Sequence, residues 1–149
     1  MRYTQRDKQK RGVDFEHEFR KSCNAVKCWA YKLFASPSGT PFDFIVLTDN
    51  FKYGIELKRL KGYRLNYSVI RQNQRSGLSK FECVSGNISL IIVNVKTENI
   101  NKTYVLPWNK IADKICSGAK GSIDVRDFRE LEKQGGMWDL SVLEGGEVG

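Results

Sequence analysis

The chain has 149 residues, a net charge of +8 and 40% hydrophobic residues, enough for one domain with a real core. No apolar run approaches a membrane span and the first residues are polar and basic, so a soluble, cytoplasmic chain without leader or anchor is expected. Four cysteines (Cys23, Cys28, Cys83, Cys116) lack zinc-ligand spacing, which excludes a zinc module and leaves reduced, mainly buried thiols.

The charge is uneven: residues 1–123 sum to +12 and residues 124–149 to −4. A basic body points to nucleic acid, with anionic membrane or acidic proteins as the alternative partners. Residues 1–11 carry Arg2, Arg6, Lys8, Lys10 and Arg11 against Asp7 alone. They are expected to form a flexible arm that contacts phosphates or stays solvated. Gly12 then precedes a helical pattern from about residue 13 to 27, with Phe15, Phe19, Cys23 and Val26 on one stripe. Glu16 and Glu18 fall in its first turns, where the helix dipole favours carboxylates. Glu16 lies beside the Phe15/Phe19 stripe, so it is the one that can face a sheet and act as an additional metal ligand or position one.

Residues 29–35 read as a strand, and residues 36–41 as a loop whose Ser38 and Thr40 leave room for a DNA backbone, with a plain connection as the equal alternative. Next come two β-branched and aromatic runs around Asp49-Asn50, the composition of a hairpin with a two-residue turn. Counting outward from Thr48 opposite Phe51 places Asp43 opposite Glu56, and Lys58 on the same face. Like charges directly opposed are destabilising. Mg²⁺ held by Asp43 and Glu56 removes the conflict, polarises a phosphate and lowers the pKa of water. Lys58 is placed to orient that water or to neutralise charge developing on the phosphate. A salt-bridged strand pair with no chemistry is the competing reading.

Residues 57–81 contain no acid, yet hold Lys58, Arg59, Lys61, Arg64, Arg71, Arg75 and Lys80, interleaved with Tyr63 and Tyr67. This is a candidate phosphate-binding surface, with a solvated charged face as the alternative. A helix is expected from near Asn66 to about Val84, with Ile70, Gln74, Leu78 and Phe81 on its apolar stripe. Gln74 therefore faces the core or the site. The run from Ile88 to Val95 suits a strand buried on both faces. Another strand is expected at residues 103–106, a short helix from Trp108 and a further helix at 125–133, and the final glycines are expected to fray. The division is a basic arm (1–11), a core (12–116) and an acidic, glycine-containing extension (117–149). The fold class is α/β, a single mixed sheet flanked by helices in the order αβββαβ.

The order Gly12-x-x-Phe15-Glu16, Asp43, Glu56-Leu57-Lys58, then Asn73-Gln74 in a helix and Tyr104-Val105-Leu106-Pro107 in a late strand resembles the PD-(D/E)XK nuclease superfamily. Within it, the resemblance is to RecU-type Holliday junction resolvases and their phage relatives, over roughly residues 12–108. It implies Mg²⁺- or Mn²⁺-dependent hydrolysis of DNA by a homodimer, in a bacterial or phage-infected cell. One site per strand suits a two-fold symmetric junction. Asp43, Glu56 and the Leu57 carbonyl are then metal ligands, Lys58 the catalytic lysine, Glu16 the helix carboxylate and Gln74 a support for metal or water. Arg6, Lys8, Lys10, Arg11, Ser38, Thr40, Arg59, Lys61, Arg64, Arg71 and Arg75 are the candidate DNA contacts. Phe42 interrupts the Pro-Asp pair. The long insertion of RecU-type proteins before the catalytic Asp is replaced by a short loop, which weighs against junction specificity more than against nuclease chemistry. A restriction- or repair-type nuclease and a non-catalytic DNA-binding protein are the alternatives.

Overall fold

The structure, a computed structural model, describes residues 4–34 and 36–149. Helix α1 (Gln5–Asn24) leads into strands β1 (Trp29–Lys32), β2 (Phe44–Leu47) and β3 (Lys52–Leu60). After β4 (Arg64–Asn66) and a 3₁₀ turn (Tyr67–Val69) come α2 (Gln72–Cys83), β5 (Asn87–Lys96), β6 (Asn101–Pro107) and α3 (Trp108–Ile115). The remaining elements are β7 (Ser122–Asp124), a second 3₁₀ turn (Val125–Asp127), β8 (Arg129–Leu131), β9 (Lys133–Gln134), β10 (Met137–Trp138) and α4 (Val142–Gly145).

Six strands form one mixed sheet in the order β1-β2-β3-β5-β6-β8. The β2–β3 hairpin has the register counted from the sequence: Phe44 pairs with Ile55 and Leu47 with Lys52, and Thr48 N–H donates to the Phe51 carbonyl at 2.9 Å. β3 and β5 run parallel, from Lys52 opposite Asn87 to Leu60 opposite Val95, so the chain between them crosses over one face and carries α2.

The sheet has two apolar faces. On one, Phe15, Phe19 and Cys23 of α1 pack with Phe44, Val46, Tyr53, Ile55, Leu90 and Ile92. On the other, Leu78 of α2 and Trp108, Ile111 and Ile115 of α3 pack with Ile91, Val93 and Leu106. β5 is thus buried on both sides, which is what its unbroken Ile/Leu/Val run requires.

Several boundaries differ from the sequence expectation. From Gln5 onward the basic arm is helix, because Thr4 and Asp7 form a reciprocal capping box that satisfies N–H groups at the helix start; Arg2 lies outside the described residues. The first strand stops at Lys32, short of the expected Ala35, which also lies outside them. The helix expected from Asn66 begins at Gln72. Before it, Leu65 is buried in a strand pair with Ile123, so residues 64–69 serve the core as strand and 3₁₀ turn. The helix expected at 125–133 is a 3₁₀ turn and a strand, since β8 pairs with the outer edge of β6. The C-terminal residues do not fray from the core: Trp138, Leu140, Leu143 and Val148 are buried on the α1 face, and the Tyr53 hydroxyl donates to the Leu143 carbonyl at 2.7 Å.

Candidate active site

Alternation along β3 turns Tyr53, Ile55 and Leu57 toward α1, and Glu56 and Lys58 toward α2. The tight packing of α2 sets what Glu56 meets. Gly77 lies against Pro41 so closely that a Cβ there would stand 2.6 Å from the Pro41 Cα. Asn73 Nδ2 donates to the Thr40 carbonyl at 2.7 Å. These two contacts fix the loop that delivers Asp43.

Asp43 Oδ2 accepts the Leu57 N–H at 2.8 Å. Glu56 is 2% exposed. Its Oε2 accepts from Gln74 Nε2 at 2.9 Å and stands 3.2 Å from Lys58 Nζ. Gln74 is itself held, since its Oε1 accepts the Arg71 N–H at 2.9 Å. Glu56 Oε1 is buried and has no hydrogen-bond partner. Burial, then the adjacent Asp43 charge, raises the Glu56 carboxyl to a pKa of about 8, against the pull of Lys58. Asp43 is raised as well, mainly by burial and further by Glu16, with the Leu57 N–H opposing. Two desolvated carboxyls thus face one another with too few donors to neutralise both.

The structure brings Asp43, Glu56, Lys58 and Gln74 together. Glu16 is close enough to act on Asp43, but its Oε2 is ion-paired with Lys32 Nζ, a partner with no signal in the sequence. Among the described residues no group of three or more His, Cys, Asp or Glu side chains is clustered for a metal; the site is a carboxyl pair. Asn73 ties α2 to the Thr40 loop, a role that its place beside Gln74 in the sequence does not signal.

The expected DNA contacts divide. Arg6, Lys8 and Lys10 on the first turns of α1, Ser38 and Lys61 are exposed, as is Arg71 at the start of α2. A groove of about 580 Å³ begins at Lys58 and runs between the first turns of α1 and the 3₁₀ turn, with Lys8, Lys61 and Arg71 on its walls and no acid lining it. Thr40 is half-buried and engaged through its carbonyl. Arg64 bonds Ser122, and Arg11 donates to the Leu60 and Lys96 carbonyls. The Arg59 side chain is 3% exposed, paired with Glu18, bonded to Asn94 Oδ1 at 2.7 Å and set over the Phe15 ring. The residue borders the groove, but its guanidinium is turned into the core beneath α1. Arg75 donates to the carbonyls of Ile70, Ile115 and Tyr67, so its nitrogens join α2, α3 and the 3₁₀ turn.

No family model matches the sequence, and no curated protein matches it. Among solved structures the chain is similar in fold to the Holliday junction resolvase Hjc of Archaeoglobus fulgidus, an archaeal hyperthermophile. The likeness covers 80% of this chain and 88% of that one, with a TM-score of 0.54 and 16% sequence identity. The chain therefore shares the fold of that protein, a mixed sheet flanked by helices; no helix among the described residues is long and apolar enough to cross a membrane.

Proposed function

We propose that the protein is a divalent-metal-dependent DNA endonuclease of PD-(D/E)XK type, and that its substrate is a four-way junction. The observation that carries this reading is the buried, partnerless Glu56 Oε1 beside Asp43, at the head of a groove lined with cations. Two adjoining buried carboxyls either share a proton or take up a cation that lets both ionise. Oxygen donors of this kind fit Mg²⁺ or Mn²⁺. Asp43, Glu56 and the Leu57 carbonyl would hold the ion, with Glu16 as a further candidate. Bound there, it would polarise a phosphodiester oxygen and lower the pKa of a water nearby.

The chain's own groups then have distinct tasks. The Leu57 N–H holds Asp43, and Gln74 holds Glu56, so the carboxyls are oriented before substrate arrives. Lys58 Nζ, anchored by Glu56, orients the attacking water or meets charge growing on the phosphate. Lys8, Lys61 and Arg71 take backbone phosphates, which adds affinity without reading sequence. We further propose a homodimer, with one site for each of two symmetric cuts.

The fold likeness to Hjc supports junction cleavage over restriction- or repair-type cutting. The test compares labelled four-way junction with matched linear duplex, in Mg²⁺ and in EDTA, for wild type and Asp43→Asn. Symmetric nicks confined to the junction and lost in EDTA and in the variant are expected. Equal cutting of duplex discards the junction preference and keeps the nuclease. Salt-sensitive binding with no cutting in any metal discards the enzyme.

A further inference from the structure

We infer that the 117–122 loop of the C-terminal extension forms a second binding site for a DNA backbone phosphate, with Lys120 as its contact residue. This site lies beyond the catalytic groove and rests on the nuclease reading above. A basin of about 540 Å³ opens between this loop and the 3₁₀ turn. Its lining carries two cations, Arg75 and Lys120, the polar groups of Asn66, Tyr67, Ser68 and Ser122, and no acid. The wall is specific. The Gly121 carbonyl accepts the Tyr67 N–H at 3.0 Å, and a Cβ on Gly121 would come within 2.8 Å of the Tyr67 ring, so only glycine lets the loop close on that ring.

The electrostatics select an anion. Arg75 is satisfied by three carbonyl oxygens, and no carboxylate pairs with it among the described residues. Its full positive charge therefore remains on the floor of the basin. Lys120 is exposed and lines the same basin. A cation with hydrogen bonds but no counter-charge, together with a second cation and a rim of hydroxyls, is a phosphate environment.

Continuity selects DNA over a free phosphate. Ser68 lines both this basin and the groove that starts at Lys58. Neither cavity has an acidic lining residue, so a strand that runs from the cut site over Ser68 into the basin is lined by no carboxylate.

The test is fluorescence anisotropy of the Asp43→Asn protein on a labelled four-way junction and on linear duplex, over a series of salt concentrations. Adding Lys120→Gln should lower the slope of log affinity against log salt by about 0.9, the share of one phosphate, and weaken binding several-fold. Lys120→Arg should restore both, and all three proteins should melt alike because Lys120 is exposed. An unchanged slope and affinity in Lys120→Gln, with salt-sensitive binding in the parent, overturns the second site alone. No salt-sensitive binding in the parent overturns the nuclease reading and the second site together. A deoxynucleoside monophosphate that needs Lys120 for binding, while the DNA slope does not, assigns the basin to free phosphates and also overturns the proposal.

Discussion

Gln74 bridges two elements: its Nε2 donates to Glu56 on β3, and its Oε1 accepts the N–H that begins α2. One amide thus couples the start of a helix to the most desolvated carboxyl of the site. Gln74→Ala should lower cleavage rate or metal affinity by about 10- to 100-fold, the range for groups that orient metal-binding carboxylates. Mn²⁺ calorimetry alongside Mg²⁺-titrated cleavage checks this, and Gln74→Glu should be worse because it adds a third acid.

The raised carboxyl of Glu56 makes the metal-free protein sensitive to alkali. Its pKa is about 8 in the folded chain, against an ordinary 4.5. Between those values the unfolded chain holds fewer protons than the folded one. Stability conferred by the protonated form is therefore complete below about pH 4.5 and lost as pH rises through about 8. Urea unfolding in EDTA should show this decline over pH 5 to about 8.5, Glu56→Gln should flatten it, and Mg²⁺ should offset it. A wild-type curve as flat as the variant's would contradict the buried ionisable site.

Gly77→Ala should damage the site from outside it. The new methyl meets the Pro41 backbone, so α2 or the loop leading to Asp43 must move. Overpacking of this kind costs about 1–3 kcal/mol. Folded Gly77→Ala protein should cleave poorly even at saturating Mg²⁺, which activity normalised to the folded fraction would reveal.

Arg59 separates a structural cation from a DNA contact. Arg59→Ala strands Glu18 and Asn94 and should cost roughly 2–3 kcal/mol. That is below the range for a fully buried pair because Glu18 keeps part of its surface in water. The salt slope of DNA binding should stay at the wild-type value for whatever protein remains folded. A slope lowered by about one would make Arg59 a phosphate contact after all.

Trp29, Tyr31 and Phe34 are 56%, 46% and 77% exposed at β1, an outer strand of the main sheet. Trp29 and Tyr31 stack at 5.8 Å and Phe34 meets Tyr31 edge-on. This apolar row is where the proposed homodimer would pack. Trp29→Glu with Tyr31→Glu should yield monomer in sedimentation velocity; a dimer that survives both places the interface elsewhere.

The site was legible where its geometry is local. Asp49-Asn50 fixes a two-residue turn, and the turn fixes the register out to Phe44 opposite Ile55; Asp43 lies one residue beyond, where its N–H donates to the Ile55 carbonyl at 3.0 Å. Gln74 was legible because helical spacing joins it to Leu78 and Phe81. What escaped depends on distant partners. Leu65 is a strand residue because Ile123 lies beside it, Arg59 is buried because Glu18 and Asn94 surround it, and Glu16 is tied to Lys32 across the α1 face. The start of α1 escaped differently: the Thr4–Asp7 capping box is present in the sequence, but the surrounding cations give the segment the composition of a loose arm.

The burial of Trp138, Leu140, Leu143 and Val148 against the α1 face bears on how the protein is made. Phe15 and Phe19 leave the ribosome more than a hundred residues before those partners, so the two halves of that layer meet only late in translation. Contacts of such long sequence separation slow folding and leave apolar surface open meanwhile. A nascent chain halted before residue 138 would already contain every proposed catalytic side chain, yet would lack the C-terminal share of the packing that holds α1, and with it Glu16, in its layer.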